Sequence, residues 1–336
     1  MSKGLGLAAG GVTASASSAD GVTGSQPALQ EAAFPKPTEQ IPAYQGAVLS
    51  DRVMDLVEEA WQTRGRHFPS AIEFDYPEQT AVVSTTGAAC SLDCAHCGGH
   101  FLADMIPIAE FTRKPGGVPK SCLISGGCDR NGKVPFLRHE GVLAELKGGS
   151  RLNFHVGLVD EAEAEKLGRL ADAVSFDFVA DDETIREVFG IKKTSEDYLR
   201  TYRSLRRHAK VLPHLCIGLK GGEIAGEYRG LDLLEGEGVD GLVLIVFFPV
   251  PGTRYADRQP PPLEDVVEFM ARARLRFPDQ PIFLGCMRPR GRYRAALDSY
   301  AVRCGVQKIV QPAPDARRLA ETLGLEVSAG DECCVL

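Results

Sequence analysis

From Thr80 onward, short β-branched and apolar runs alternate with longer stretches in which Leu, Ala and Val return every three to four residues beside Arg, Glu and Lys. Short apolar runs read as buried strands and the 3.6-period stretches as helices covering them, so the alternation predicts repeated βα units on a parallel sheet. Strands are expected at 80–85, 121–125, 151–156, 173–178, 212–218, 241–248, 281–285 and 307–310, with helices near 161–171, 195–208, 263–276 and 314–324. The fold class is therefore α/β, a TIM-like (β/α) barrel, complete or, because the last strand is weak, partial. Functional loops then belong at the C-terminal ends of the strands.

Upstream, Val53, Met54, Leu56, Val57 and Ala60 recur at helical spacing after Ser50. This predicts a helix to about residue 64, capped by Ser50 and packed outside the sheet. Residues 1–45 are rich in Gly, Ala, Ser and Thr without apolar periodicity. They bury too little surface to offset their ordering entropy and are expected to be a disordered extension, leaving 46–336 as one barrel domain with a cysteine-bearing tail.

With 44% hydrophobic residues among 336, the chain can build a substantial core. A formal net charge of -7 argues against a general nucleic-acid-binding surface, which needs clustered Lys and Arg, but leaves room for a local basic patch. No run of eighteen apolar residues occurs, and no basic segment followed by a sustained apolar stretch opens the chain. No membrane association and a cytoplasmic location are expected. Ten cysteines are too sparse for a disulfide scaffold in a chain of this length, and three crowd between 90 and 97, so metal or redox chemistry is the better reading.

Those three stand in Cys90-Ser-Leu-Asp-Cys94-Ala-His-Cys97, after the first strand and Gly87. On one loop at the rim, three thiolates can converge on an iron–sulfur cluster. A zinc site completed by His96 or His100 uses the same ligand types and remains an alternative. After the second strand comes Ile124-Ser125-Gly126-Gly127, where glycine lets backbone carbonyls approach a ligand, although alone it would be an ordinary turn.

A second set of cysteines also falls near the rim or the tail. Cys128 follows the second strand, and Cys286 follows the seventh in Leu284-Gly-Cys-Met-Arg-Pro-Arg-Gly291. Cys333 and Cys334 lie in a tail that needs folding back to be held. Cys128, Cys286 and one or both of Cys333 and Cys334, with Arg288 or Arg290, are expected to ligate an auxiliary iron–sulfur cluster; isolated thiols are the alternative. Cys122, Cys216 and Cys304 read as core or inert. Asp177 and His155 point into the barrel or its mouth, with Asp177 either binding a ligand or structural, and His214 is read as structural. Arg288, Arg290, Arg292 and Arg294 form a basic stretch on which an acidic carrier could dock.

The spacing C-x3-C-x2-C directly after the first strand of a βα series resembles the radical S-adenosylmethionine (SAM) superfamily. Ser125, Gly126 and Gly127 resemble its glycine-rich segment that meets the SAM amino group, with Cys128 where many members carry an acidic residue. Pro249-Val-Pro-Gly-Thr253, including Pro251 and Gly252, resembles the loop bordering the SAM adenine and methionyl groups, and Asp177 is a further candidate contact. Across most of the chain from about 80, Cys94-Ala-His-Cys97-Gly-Gly-His-Phe-Leu, Ser125-Gly-Gly-Cys128-Asp, Phe176-Asp-Phe, Gly285-Cys-Met-Arg-Pro-Arg-Gly291 and the Cys-Cys tail are similar to biotin synthase-related proteins, including two-component, archaeal-type lipoyl synthases. The N-terminal cysteine triplet and Arg-Ser-Ser-Tyr motif of ordinary lipoyl synthases are missing.

The resemblance implies a [4Fe–4S] cluster on Cys90, Cys94 and Cys97, with SAM chelated at its open iron and cleaved to a carbon radical. It implies sulfur insertion at C–H bonds of an octanoyl chain on a carrier protein or domain, with an auxiliary cluster as sulfide donor. A second radical SAM subunit and an electron donor such as ferredoxin or flavodoxin are the implied partners. Methylation, rearrangement or another sulfuration would keep the radical chemistry, and a non-catalytic iron–sulfur scaffold or sensor would not.

Overall fold

The computed structural model describes residues 49–111 and 119–336, so the extension expected at 1–45 lies outside the described residues. Eleven strands form one sheet: β1 (Ala71–Asp75), β2 (Thr80–Ser84), β3 (Ile106–Pro107), β4 (Ser121–Ser125), β5 (Arg151–His155), β6 (Ala173–Asp177), β7 (Val211–Ile217), β8 (Leu242–Val246), β9 (Ile282–Leu284), β10 (Lys308–Val310) and β11 (Glu326–Gly330). Their order is β11-β1-β10-β9-β8-β7-β6-β5-β4-β2-β3, and every pairing is parallel. All eight expected strands are present, as β2 and β4 to β10. Among the described residues no ladder joins β1 or β11 to β2, so the sheet curls as a partial barrel.

The helices α1 (Asp51–His67), α2 (Ile108–Phe111), α3 (Glu140–Lys147), α4 (Glu161–Leu170), α5 (Asp182–Thr184), α6 (Ser195–His208), α7 (Glu227–Glu237), α8 (Leu263–Arg276), α9 (Gly291–Arg303) and α10 (Pro314–Thr322) complete the elements. In α4, Ala164, Leu167 and Leu170 are buried beside charged neighbours, the one-sided stripe that fixes which face meets the sheet. Its start is a capping box, in which Asp160 accepts from Glu163 N and the Glu163 carboxylate accepts from Asp160 N. Ser50 does sit at the start of α1, but its hydroxyl is not the expected cap. It donates to the Glu264 carboxylate at 2.5 Å, tethering α1 to α8 instead. Among the described residues no helix is long and apolar enough to cross a membrane.

Three strands escaped the sequence pattern: β3, which is only two residues long, and β1 and β11, each for a physical reason. In β1 the charges of Glu73 and Asp75 break up the apolar signal, yet both face Lys308, whose Nζ lies 2.8 Å from Asp75 Oδ2 and 3.5 Å from Glu73 Oε2. β11, Glu-Val-Ser-Ala-Gly, is mostly exposed and has little to bury. From β11 the chain turns across the open seam. Tyr76 N donates to Gly330 O, Gln79 N to Asp331 O at 3.0 Å, and Cys333 N to Thr80 Oγ1 at 3.0 Å. Cys334 and Val335 then enter a small apolar cluster with Ala173, Leu212, Val243 and Val310, whose side chains point into the barrel. The tail is thus the floor of the lumen, as the expectation of a folded-back tail requires.

Candidate functional site

The cysteine loop leaves the C-terminal end of β2. Backbone bonds fold it tightly: Cys97 N and Gly98 N donate to Cys94 O at 3.2 and 2.9 Å, and His100 N donates to Cys97 O at 2.8 Å. Cys94 is buried, while Cys90 and Cys97 are partly open. The Cys94 thiol hydrogen-bonds Cys97, which pulls the Cys97 thiol down to about 4, with His96 adding to the shift, and holds Cys94 well above its ordinary range. Of the pair, Cys97 is therefore the one biased towards thiolate, the form that binds metal.

Beneath this loop runs the end of β4. Thr85 N donates to Ser125 O at 2.8 Å, Gly127 N donates to Thr86 Oγ1 at 2.7 Å, and Ser91 N donates to Cys128 O at 2.8 Å. A Cβ on Gly127 would lie 2.0 Å from Ala89 O and 2.6 Å from Cys90 Cα, so only glycine permits this approach. The Pro251–Gly252 turn closes the other side. A Cβ on Gly252 would stand 3.1 Å from His100 Nε2, and Gly98 faces the Thr253 methyl. Arg254 donates to Asp93 O and Glu187 O, both at 3.1 Å, and Tyr255 N donates to Ala95 O at 3.0 Å. Of the expected residues, Gly127 thus lies against the loop at Cys90 and Gly252 against it at His100, while Ser125 and Gly126 meet Thr85 and Thr86 just before it. Thr85, Thr86 and Arg254 do the bracing, and no local sequence signal marks them.

Into the same mouth project His155 and Asp177, paired at 2.9 Å between Nε2 and Oδ2. Burial opposes charge on both, but their attraction wins, raising His155 and holding Asp177 well below the carboxylate range. Asp177 keeps 45% of its side chain open to the mouth, and the charges of His96 and Cys128 act on it. His214 stacks on His155 at 6.1 Å and is driven down to about 4 by burial, hence neutral.

The expected auxiliary cysteines part company. Cys128 stays with the rim: its backbone carbonyl meets Cys90, and burial with the nearby Cys90 charge pushes its thiol up to about 12. Cys333 and Cys334 lie on the lumen floor with sulfurs 3.9 Å apart, and Cys286 is near enough for the Cys333 charge to raise its thiol beyond the effect of burial. Asn153 Nδ2 donates to Cys333 Sγ at 3.5 Å, and Cys334 Sγ stands 3.8 Å from His214 Nε2. Cys122 and Cys304 are core, as expected, but Cys216 is only partly buried.

The basic stretch after β9 is not a free surface throughout. Arg288 is fully buried and spends its guanidinium on Asp298 at 2.7 and 2.8 Å and on the carbonyls of Gly285, Val310 and Gln311. It has no donor left for a cluster or a carrier, which corrects its expected role. Arg294 is likewise turned inward, donating to Cys286 O at 2.9 Å.

The rim residues suit a cluster. Its donors are thiols on a tightly turned loop, the cradle at Gly127 admits no side chain, and His96 Nδ1 is a buried polar atom without a hydrogen-bond partner. Zinc would need donors about 2.0–2.3 Å from one point. Among the described residues no three His, Cys, Asp or Glu side chains converge in that way, at the rim or elsewhere; a four-iron cluster asks less convergence, since it offers each thiolate its own iron.

Solved structures share this architecture. Methylornithine synthase (PylB) superposes with a TM-score of 0.60 over 84% of this chain and 91% of its own, at 15% identity. HydG, a maturase of the [FeFe]-hydrogenase, does so at 0.61 over 84% of this chain and 70% of its own, at 16% identity. HydG from Carboxydothermus hydrogenoformans gives 0.56 over 77% of this chain and 63% of its own, at 15% identity. No protein-family model matches the chain, and no curated protein matches it. At these identities the likeness establishes the fold, the partial barrel expected from the resemblance.

Proposed function

We propose that this protein is a radical SAM enzyme that inserts sulfur at C–H bonds of a protein-bound octanoyl chain, working with a second radical SAM protein. The observation that carries the reading is the rim: three thiols on one loop, wedged onto the Gly126-Gly127 strand end at the mouth of a partial (β/α) barrel. When bound, a [4Fe–4S] cluster with SAM supplies a one-electron cleavage that leaves a carbon radical able to remove hydrogen from an unactivated position. Cys90, Cys94 and Cys97 would hold it. Ser125 to Gly127 and the Pro251–Gly252 turn would border SAM, and Asp177, kept ionised by His155, offers it a fixed negative charge.

The chain's own part is orientation and exclusion of competing reactions. The tail packs across the bottom of the lumen, so the residues at the rim face a space with a floor rather than an open-ended channel. Cys333 and Cys334 on that floor, with the exposed Cys286 after β9, support sulfuration, because they would hold the sulfide-bearing second cluster which this outcome requires. An octanoylated carrier and an electron donor such as ferredoxin or flavodoxin complete the proposed system.

The test is turnover after anaerobic reconstitution, with a chemical reductant, SAM, an octanoyl-lysine peptide and the candidate second subunit. 5′-Deoxyadenosine together with sulfur on the octanoyl chain is the expected result. 5′-Deoxyadenosine with a methylated or rearranged product would overturn sulfuration, and its complete absence would leave an iron–sulfur scaffold or sensor.

A further inference from the structure

His214 was expected to be structural, yet its surroundings are those of a ligand. It lies on β7 with its ring in the lumen, stacked on His155. Its Nδ1 is 3.0 Å from Leu212 O, a carbonyl that can only accept, so Nδ1 carries the proton and Nε2 the lone pair. Nε2 faces Cys334 Sγ at 3.8 Å, and the Cys333 sulfur follows 3.9 Å further on. An imidazole whose second nitrogen is tied to a backbone carbonyl is the usual arrangement of a metal-ligating histidine, because that bond fixes both tautomer and ring orientation.

The thiols beside it are prepared in the same way. Asn153 Nδ2 donates to Cys333 Sγ, and Asn153 is itself held by Ser175 Oγ at 3.0 Å, so an amide N–H is aimed at the sulfur. Cys333 is placed from its backbone by Thr80, and Glu332 beside it pairs with Arg151 and Lys120. Arg294 grips the Cys286 carbonyl. Cys216 shares the lumen face of β7, but the charges around it are Asp177 and Glu227, not the tail. Cys128 is committed to the rim.

We propose that His214 joins Cys333 and Cys334 as a ligand of a second iron–sulfur cluster on the lumen floor, standing where Cys128 was expected, with Cys286 as the remaining expected thiol. This rests on the sulfur-insertion reading, since that reading supplies the reason for a second cluster. Thiolate and imidazole mixtures are established iron–sulfur ligand sets. The four donors come from three separate parts of the chain, β7, the end of β9 and the tail, so none of them announces the site by spacing.

The experiment uses the full chain with Cys90, Cys94 and Cys97 all changed to Ala, reconstituted anaerobically with iron and sulfide, so that only the floor can load. After dithionite reduction, nitrogen hyperfine coupling is read on protein carrying 15N-histidine. The expected result is bound iron with a histidine 15N coupling that survives Cys128→Ser. In His214→Cys, iron is retained and the coupling is lost, which keeps the test independent of whether His214→Ala still folds. Iron bound without histidine coupling, coupling that persists in His214→Cys, or iron lost in Cys128→Ser would overturn the ligand assignment alone. No bound iron in the triple variant would overturn the second cluster itself, and with it the basis for sulfur insertion.

Discussion

The rim and the floor of the barrel each gather three thiols, but they are built by opposite means. At the rim, backbone hydrogen bonds among neighbouring residues turn the loop, and the strand end at Gly127 fits against it with no space for a methyl group. At the floor, long side chains hold the pieces: Arg151 and Lys120 reach across the sequence to Glu332 in the tail, while Arg288 on Asp298 and Arg294 on Cys286 O pin the segment after β9 to α9. A site made by local backbone geometry is robust to salt and pH and intolerant of added volume. One made by side-chain anchors has the reverse sensitivities.

The largest effect expected from breaking this contrast is at Asp298. Asp298→Ala leaves a fully buried Arg288 unpaired and removes the acceptor of Ala313 N, so stability should fall by about 3–5 kcal/mol in urea unfolding. Iron should be lost from the floor before the rim. A loss below 1 kcal/mol would show that the anchor does not hold that side of the barrel.

Next comes Gly127→Ala. Its Cβ meets backbone on both contacts, which cannot rotate away, and the expected cost is about 1–3 kcal/mol together with iron lost from the rim and kept at the floor. Gly141→Ala, where a Cβ meets nothing within 4 Å, is the matching control and should leave both sites loaded.

Glu332 separates the regions by pH. Burial opposes its charge, but Arg151 and Lys120 outweigh that and hold its carboxyl below the ordinary range. A depressed acid stabilises above its unfolded pKa, about 4.3, and the contribution fades as pH falls through the folded value. Hydrogen-exchange protection at 331–336, measured against the intrinsic rate at each pH, should therefore fall in acid while that of the rim loop is unchanged. Glu332→Gln should reproduce this at neutral pH at a cost of about 0.5–1 kcal/mol, since both cations are half exposed. Equal loss of protection at both regions would erase the distinction. Smallest of all, Ser50→Ala removes an exposed tether and should shift stability by no more than about 0.5 kcal/mol, with iron content unaltered at both sites.

What could be read from the chain follows the same division. The eight strands were legible because each is a buried apolar run, and the rim because its cysteines are spaced within one loop. β1 was not, since the charges of Glu73 and Asp75 make sense only beside Lys308, which is supplied by β10. His214 looked structural because its thiol neighbour comes from the tail, and Arg288 looked available because its acid lies on α9. Neither kind of partner carries a periodic signature: the acid of Arg288 is ten positions on, whereas Asn153, His214 and Thr80 meet the tail across 120 positions or more.

The bond from Cys333 N to Thr80 spans 253 positions, and that separation has a consequence in time. At a synthesis rate of about 5–20 residues per second, on the order of ten to fifty seconds pass between the emergence of the first barrel strand and that of its stopper. Once Arg254 has emerged the rim loop has its braces while the lumen below it still lacks its base, so for the rest of that interval the nascent thiols meet solvent and oxygen from both ends. Slow elongation over the second half of the message should then lower the yield of intact protein in air and leave it unchanged under anaerobic expression.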